Sequence, residues 1–379
     1  MSQKRSIFEE VGIEKSAKPK PAGGLIDKGT GGARRGIRIW LGALFVLVVV
    51  MIAVGGLTRL TDSGLSITEW APISGAVPPL TEADWQAEFD AYRQIPEYQL
   101  QNKGMSLSEF KVIYLWEWGH RQLGRVIGLV WGAGFLAFWL TGRIPAGWTP
   151  RLLGLGALGG LQGAIGWWMV RSGLSGEMLD VASYRLATHL GLAFAILGLI
   201  AWFIFQLGRS EAALLQARRG RETALFGLSA ALLGLAFLQI LLGALVAGID
   251  AGRNYTDWPL MAGGILPPGV FDITPWWRNF FENDGLVQFV HRVSGYVLLL
   301  FGGYVWLRSR VSGNGATRFA FNAMMAMLLV QMAIGVVTVL YSAQAHIALT
   351  HQFGAVVLWV LIIRARFLAG YPAAQSVRG

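Results

Sequence analysis

The 379-residue chain contains no cysteine. That excludes disulfides, thiolate nucleophiles, cysteine zinc sites and iron–sulfur clusters in one step. Charge is also scarce, at 14% of residues against roughly a quarter in an ordinary soluble domain. Acidic residues are the scarcer kind, 22 against 32 basic ones. The resulting +10 can signal nucleic-acid binding, but the basic residues are scattered rather than striped, so no nucleic-acid partner is expected. Histidine is limited to five residues. A bound metal or cofactor therefore has only His, Asp, Glu, Met or Tyr to hold it.

What is abundant is apolar: 54% of residues are hydrophobic, with 16 Trp and 50 Gly. Apolar windows near twenty residues, the length that crosses ~30 Å of hydrocarbon, fall at about 38–60, 112–141, 150–171, 184–207, 222–249, 285–308, 318–341 and 345–366. Runs such as Leu41 to Val50 and Leu225 to Leu245 show no period-two alternation, and their glycine spacing suits close helix contacts in lipid rather than barrel strands. The expected fold class is an all-α integral membrane protein with eight transmembrane helices as two pseudo-symmetric four-helix bundles.

Residues 1–36 are basic, carry scattered Pro and Gly, and lack an apolar core of signal-peptide length. They are expected to be a disordered tail, with the first span an uncleaved anchor. Most Lys and Arg lie in this tail, in the connections Arg143–Arg151, Arg209–Arg221 and Arg308–Arg318, and in the end Arg364–Arg378. The positive-inside rule places these segments, and both termini, in the cytoplasm. The tail has no Arg- and Ser-rich transit helix, which points to a bacterial inner membrane. The opposite, outer side carries two long connections, roughly 61–111 and 250–284, of a length that usually has a function.

The two halves match. Gly55-Gly56-Leu57, Asp62-Ser63-Gly64, Thr68-Glu69-Trp70 and Pro78-Pro79 reappear as Gly243-Ala244-Leu245, Asp250-Ala251-Gly252, Thr256-Asp257-Trp258 and Pro267-Pro268. His120-Arg121-x-x-Gly124 matches His291-Arg292-x-x-Gly295, Gln162-x-x-x-Gly166 matches Gln331-x-x-x-Gly335, and Thr188-His189 matches Thr350-His351. The chain is read as a tail (1–36), a first four-helix half (37–210), a second (211–368) and a cytoplasmic tail (369–379). An even number of spans per unit gives both copies one orientation, with the symmetry axis along the membrane normal.

His120, His189, His291 and His351 fall on spans two, four, six and eight, each about five to eight residues from the expected outer helix start, a depth of roughly 8 to 12 Å. One layer of imidazoles permits one pair per half, His120 with His189 and His291 with His351, each able to clamp a planar metal cofactor such as haem between facing helices. Taken singly, each His could instead be a hydrogen-bonded core residue or a proton relay. Bare zinc or copper sites are disfavoured because two His without nearby Cys or Asp make a poor closed shell. His346 matches Tyr184 in the first copy and is expected at the interface.

Glu117 lies one turn before His120, in the aromatic segment Tyr114-Leu115-Trp116-Glu117-Trp118. Burial would raise its pKa and suit it to proton transfer or charge stabilisation, unless it pairs with Arg121 or Arg125. Its counterpart is Gln288, an asymmetry that assigns reactivity to the first half. Arg121 and Arg292 could bind haem propionates in bidentate fashion or snorkel to the interface. Trp116, Trp118, Trp167, Trp168, Trp276 and Trp277 are expected as interfacial belt, and Asp62 and Asp250 as terminators of spans one and five.

Glu117-Trp118-Gly119-His120-Arg121, the two Gly…Asp…Gly…Trp loops and the four spaced histidines resemble the haem A synthase family over residues 38 to 366. The resemblance implies an eight-helix enzyme that oxidises a ring methyl of haem O to the formyl of haem A for terminal oxidases. It implies that His291 and His351 hold a haem b cofactor and that His120 and His189 hold the substrate haem beside Glu117. Haem O synthase and cytochrome oxidase subunits are the candidate protein partners. Some bacterial members carry a cysteine pair in the first outer loop; residues 61–111 have none, so reducing equivalents cannot come from such a pair. Two imidazoles fill both axial positions of an iron, so either one ligand leaves or oxidation proceeds at the porphyrin edge. The alternatives are a dihaem b-type cytochrome in quinol-linked electron transfer and a transporter built from parallel repeats. A single histidine layer speaks against the first, and the lack of paired span interruptions against the second.

Overall fold

The computed structural model describes residues 31–176 and 178–374. Among them are twelve α-helices, and eight of these are long and apolar enough to cross a membrane. The protein is a multi-pass membrane protein. The eight spans are α1 (Gly31–Leu60), α4 (Leu107–Leu140), α5 (Thr149–Val170), α6 (Ser183–Leu207), α8 (Thr223–Gly248), α10 (Asp284–Ser309), α11 (Gly315–Leu340) and α12 (Ala345–Gly370). The short helices are α2 (Glu82–Tyr92), α3 (Pro96–Leu100), α7 (Glu211–Arg219) and α9 (Asn279–Glu282).

Several ends depart from the apolar windows for identifiable reasons. α1 begins at Gly31 rather than after residue 36, because its basic first turns have partners: Arg34 pairs with Glu211 of α7 at 2.8 Å and donates to the carbonyls of Gln206 and Arg209. The rest of the expected tail, residues 1–30, lies outside the described residues, as do residues 375–379. α4 starts at Leu107 because Ser106 and Glu109 form a capping box, each side chain accepting from the other's backbone N–H. Asn283 and Asn314 cap α10 and α11 in the same sense, accepting from Leu286 N–H and from Ala316 and Thr317 N–H.

Within each half the helices form a ring in which neighbours pack and diagonals do not. α1, α4, α5 and α6 make one ring, and α8, α10, α11 and α12 the other. Among the described residues, the diagonal pairs α4 with α6 and α10 with α12 do not pack extensively. The rings meet through α1 and α6 against α8 and α12, where Leu44, Leu197, Leu232, Val356 and Ile362 build the central core. Polar side chains stitch this seam by reaching backbone carbonyls across it: Trp359 Nε1 donates to Phe194 O at 2.9 Å and Gln352 Nε2 to Ile52 O at 2.6 Å. Small residues permit the close approach, as the glycine content suggests. A Cβ at Gly248 would lie 2.8 Å from Ser183 Cα, and one at Gly56 would overlap the Gln352 amide.

The connection 61–106 folds into a second small core on one end of the first ring. Phe89, Tyr92, Phe110 and Tyr114 are buried there, with Phe89 and Phe110 stacked at 4.9 Å. The matching connection 249–283 contains α9, two 3₁₀ turns and an isolated bridge between Met261 and Gly264. Both long connections lie at one end of the bundle, termed here the long-loop face.

Candidate functional site

The four histidines stand on the diagonal helices, His120 on α4 facing His189 on α6 and His291 on α10 facing His351 on α12. Each pair is within electrostatic reach of its partner. His189, His291 and His351 are about two turns from their helix starts. His120 is nearly four turns into α4, further than expected, because the capping box prolongs α4 beyond the layer.

A glycine on the adjacent helix makes room for every one of these rings. A Cβ at Gly55 on α1 would sit 2.8 Å from His120 Cε1, one at Gly166 on α5 would sit 2.9 Å from His189 Cε1, one at Gly243 on α8 would sit 3.1 Å from His291 Cε1, and one at Gly335 on α11 would sit 3.0 Å from His351 Cε1. The four glycines are two repeat pairs, so the same cradle is built four times. His120 Nδ1 is buried with no hydrogen-bond partner. Paired imidazoles, each cradled by glycine, with one buried ring nitrogen left without a partner, are a donor set that would hold a haem. Among the described residues no three His, Asp or Glu side chains converge into a closed metal shell.

Glu117 is 3% exposed. Its Oε2 accepts from Ser66 Oγ and Ile67 N–H, both at 2.8 Å, and its Oε1 accepts from Arg121 Nε at 3.0 Å and Nη2 at 2.6 Å. The pairing with Arg121 is therefore the one the structure adopts, and four donors surround a carboxylate one turn from His120. Gln288 is 2% exposed and does a parallel job with the opposite polarity: its Nε2 donates to the carbonyls of Ala251 and Asn254, and its Oε1 accepts from Arg292. Glu and Gln are thus each matched to the loop they hold.

The arginines after the histidines are fastened to the loops. Arg121 donates to Ile67 O and Glu69 O, and Arg125 to Ala71 O and Pro72 O. Arg292 donates to Tyr255 O, Asp257 O and Leu260 O. Trp116, Trp168, Trp276 and Trp277 are exposed, as a belt requires, whereas Trp167 stacks on Trp70 and Trp118 donates to Gly75 O. His346 is exposed at the start of α12.

Asp62 and Asp250 follow the ends of α1 and α8 in the left-handed region, with φ of 48° and 53°, and do terminate these helices. They also converge on one cation that the sequence does not single out. Arg59 Nη1 meets Asp62 at 2.8 Å, while its Nη2 meets Asp250 at 3.0 Å and Asp180 at 3.4 Å. This cluster ties the two halves together at the long-loop face. Nearby, Glu97 of α3 is buried beside Tyr92 and Asn102, with one oxygen unpartnered. Burial, reinforced by repulsion from Asp180, Asp62 and Glu117, pushes its carboxyl up to about 8.

Residues 38–363 match the model of the COX15-CtaA family, described as cytochrome oxidase assembly protein. The chain belongs to this family. Its relatives named Heme A synthase include that of Ruegeria pomeroyi, 65% identical over the whole of both chains, and that of Dinoroseobacter shibae, 66% identical over 100% of this chain and 99% of its own. The Heme A synthase of Paracoccus denitrificans is 61% identical over 99% of each chain. Within this COX15-CtaA chain, sequence reading missed the glycine cradles, Arg59 and the loop donors to Glu117. The cradles had a signal: Gly55 with Gly243 and Gly166 with Gly335 recur at fixed offsets in the repeat.

Proposed function

We propose that this chain is a haem A synthase, an oxidoreductase that converts the ring methyl of haem O to the formyl of haem A for terminal oxidases. The observation that carries the reading is the twofold imidazole pair with an acid beside only one of them, in a chain matched end to end by relatives of that name. His291 and His351 would hold a haem b, and His120 and His189 the substrate haem O. When bound, the haem b supplies one-electron redox chemistry. With water as the oxygen source, R–CH3 + H2O gives R–CHO, four protons and four electrons, the electrons passing to a redox acceptor outside this chain. Positive charge that develops at the methyl carbon needs a fixed anion beside it. Glu117 is positioned for that, with both oxygens locked by donors from α4 and the loop. Arg121 and Arg292 stand one residue after a ligand, and loop carbonyls and the Glu117 or Gln288 side chain take most of their donors. Their proposed contact with haem propionates would use only what remains, the second Nη1 hydrogen of Arg121 and the Nε of Arg292.

The basic short-loop ends support a reading in which both termini are cytoplasmic in a bacterial cell and the long-loop face lies outside the inner membrane. Haem O synthase and oxidase subunits are the partners this chemistry implies, upstream and downstream. The test is Glu117→Gln beside Ser66→Ala, with haems extracted and identified. Glu117→Gln is expected to retain bound haem and yield no haem A, whereas Ser66→Ala, which removes one of four donors, keeps the product. Wild-type haem A output from Glu117→Gln would remove the assignment.

A further inference from the structure

Three of the four imidazoles have a glutamine against the ring. Gln162 Nε2 on α5 lies 3.2 Å from His189 Nδ1 and donates to the His189 carbonyl at 3.0 Å. Gln331 on α11 does the same for His351, at 3.2 and 2.8 Å. Gln239 on α8 does the same for His291, at 3.2 and 3.1 Å. In all three the amide Oε1 is buried and accepts nothing. His120 is the exception, with a buried, partnerless Nδ1.

The repeat explains the exception. With Gly55 aligned to Gly243, Met51 stands where the second half has Gln239. The packing agrees, since a Cβ at Gly124 would meet Met51 Cε at 3.6 Å and one at the matched Gly295 would meet Gln239 Nε2 at 3.3 Å. A side chain that bonds a ligand histidine from a neighbouring helix fixes the ring and holds it as a ligand. The glutamine Nε2 donates to the carbonyl of the histidine itself and lies against its ring, within 3.2–3.4 Å of ring nitrogens, so it ties both ring and backbone of the ligand to the neighbouring span. A thioether has no proton to donate, so Met51 ties neither the carbonyl nor the ring of His120, whose Nδ1 stays unpartnered.

We propose that Met51 makes His120 the releasable ligand, so that the first half exchanges its haem while the glutamine-anchored second half retains its own. This rests on the reading that the imidazole pairs hold haems. Met51 is a positioning residue, acting only through His120.

The test follows haem transfer from the purified holoprotein to excess apomyoglobin. The wild type is expected to release one equivalent in a fast phase and one in a slow phase. Met51→Gln should slow the fast phase roughly fivefold to tenfold, the worth of one hydrogen bond. The reciprocal Gln239→Met should speed the slow phase by a similar factor, and Met51→Leu should change neither phase. A fast phase untouched by Met51→Gln, or a slow phase untouched by Gln239→Met, overturns the proposal, and the second variant suffices if the first does not fold. Purified wild-type protein that carries no haem overturns the underlying reading instead, and this assignment with it.

Discussion

Alanine at Gly55 tests the cradle most sharply. The added Cβ would lie 2.8 Å from His120 Cε1, whereas ordinary contact begins at 3.4 Å. Ring or helix must therefore move by at least about 0.6 Å, some three times the ~0.2 Å tolerance of a metal–ligand bond. Overpacking of this kind costs about 1–3 kcal/mol, which corresponds to roughly fivefold to 150-fold weaker haem binding. The four cradles give a graded series, because the gaps at Gly166, Gly335 and Gly243 are 2.9, 3.0 and 3.1 Å. Gly55→Ala and Gly166→Ala should lose the first-half haem on purification, and Gly335→Ala and Gly243→Ala should weaken the second by a few-fold. Gly128, on the same helix as His120, meets nothing within 4 Å and serves as the control. Haem equivalents per chain provide the assay. Full occupancy in Gly55→Ala, or equal loss in Gly128→Ala, would refute the argument that these glycines exist to seat imidazoles.

Two further outcomes follow from the charges at the long-loop face. The Glu97 carboxyl is pushed up to about 8 from an ordinary 4.5, so its stabilising contribution is complete at low pH and fades as the pH rises toward and through 8. The unfolding free energy should fall from about pH 5 to pH 8 with a slope of up to about 1.4 kcal/mol per pH unit and level off above that, with thermal midpoints following it, and Glu97→Gln should flatten the dependence. Arg59→Gln leaves Asp62, Asp180 and Asp250 without their shared cation, at an expected loss of about 2 kcal/mol given their partial exposure. Adding Asp250→Asn should recover part of that loss in thermal melts, and strict additivity of the two changes would disprove the coupling.

The spans were legible because each is an apolar window bounded by charge or glycine, and the repeat was legible because it preserves residues at fixed offsets. Helix ends were less so. Arg34 extends α1 only because Glu211, far along the chain, receives it, while the Ser106 to Glu109 box was readable but lay outside the apolar window. The histidine pairing followed from alternation of spans. The surroundings of Glu117 did not, since Ser66 and Ile67 arrive from a loop whose path no periodicity encodes. Arg59 reads as an ordinary basic residue at a helix end until the second half delivers Asp250 to it. Met51 was visible in the repeat all along, but its meaning needed the ring contacts made by Gln239.

Haem extracted from the purified wild-type chain, counted and identified, bears most directly on the central claim that four imidazoles hold two distinct haems. The account predicts two equivalents per chain, one haem B and the other haem O or haem A, with the non-B haem lost in His120→Ala and haem B lost in His351→Ala. Two equivalents of haem B, or loss of both haems from either single variant, would contradict it.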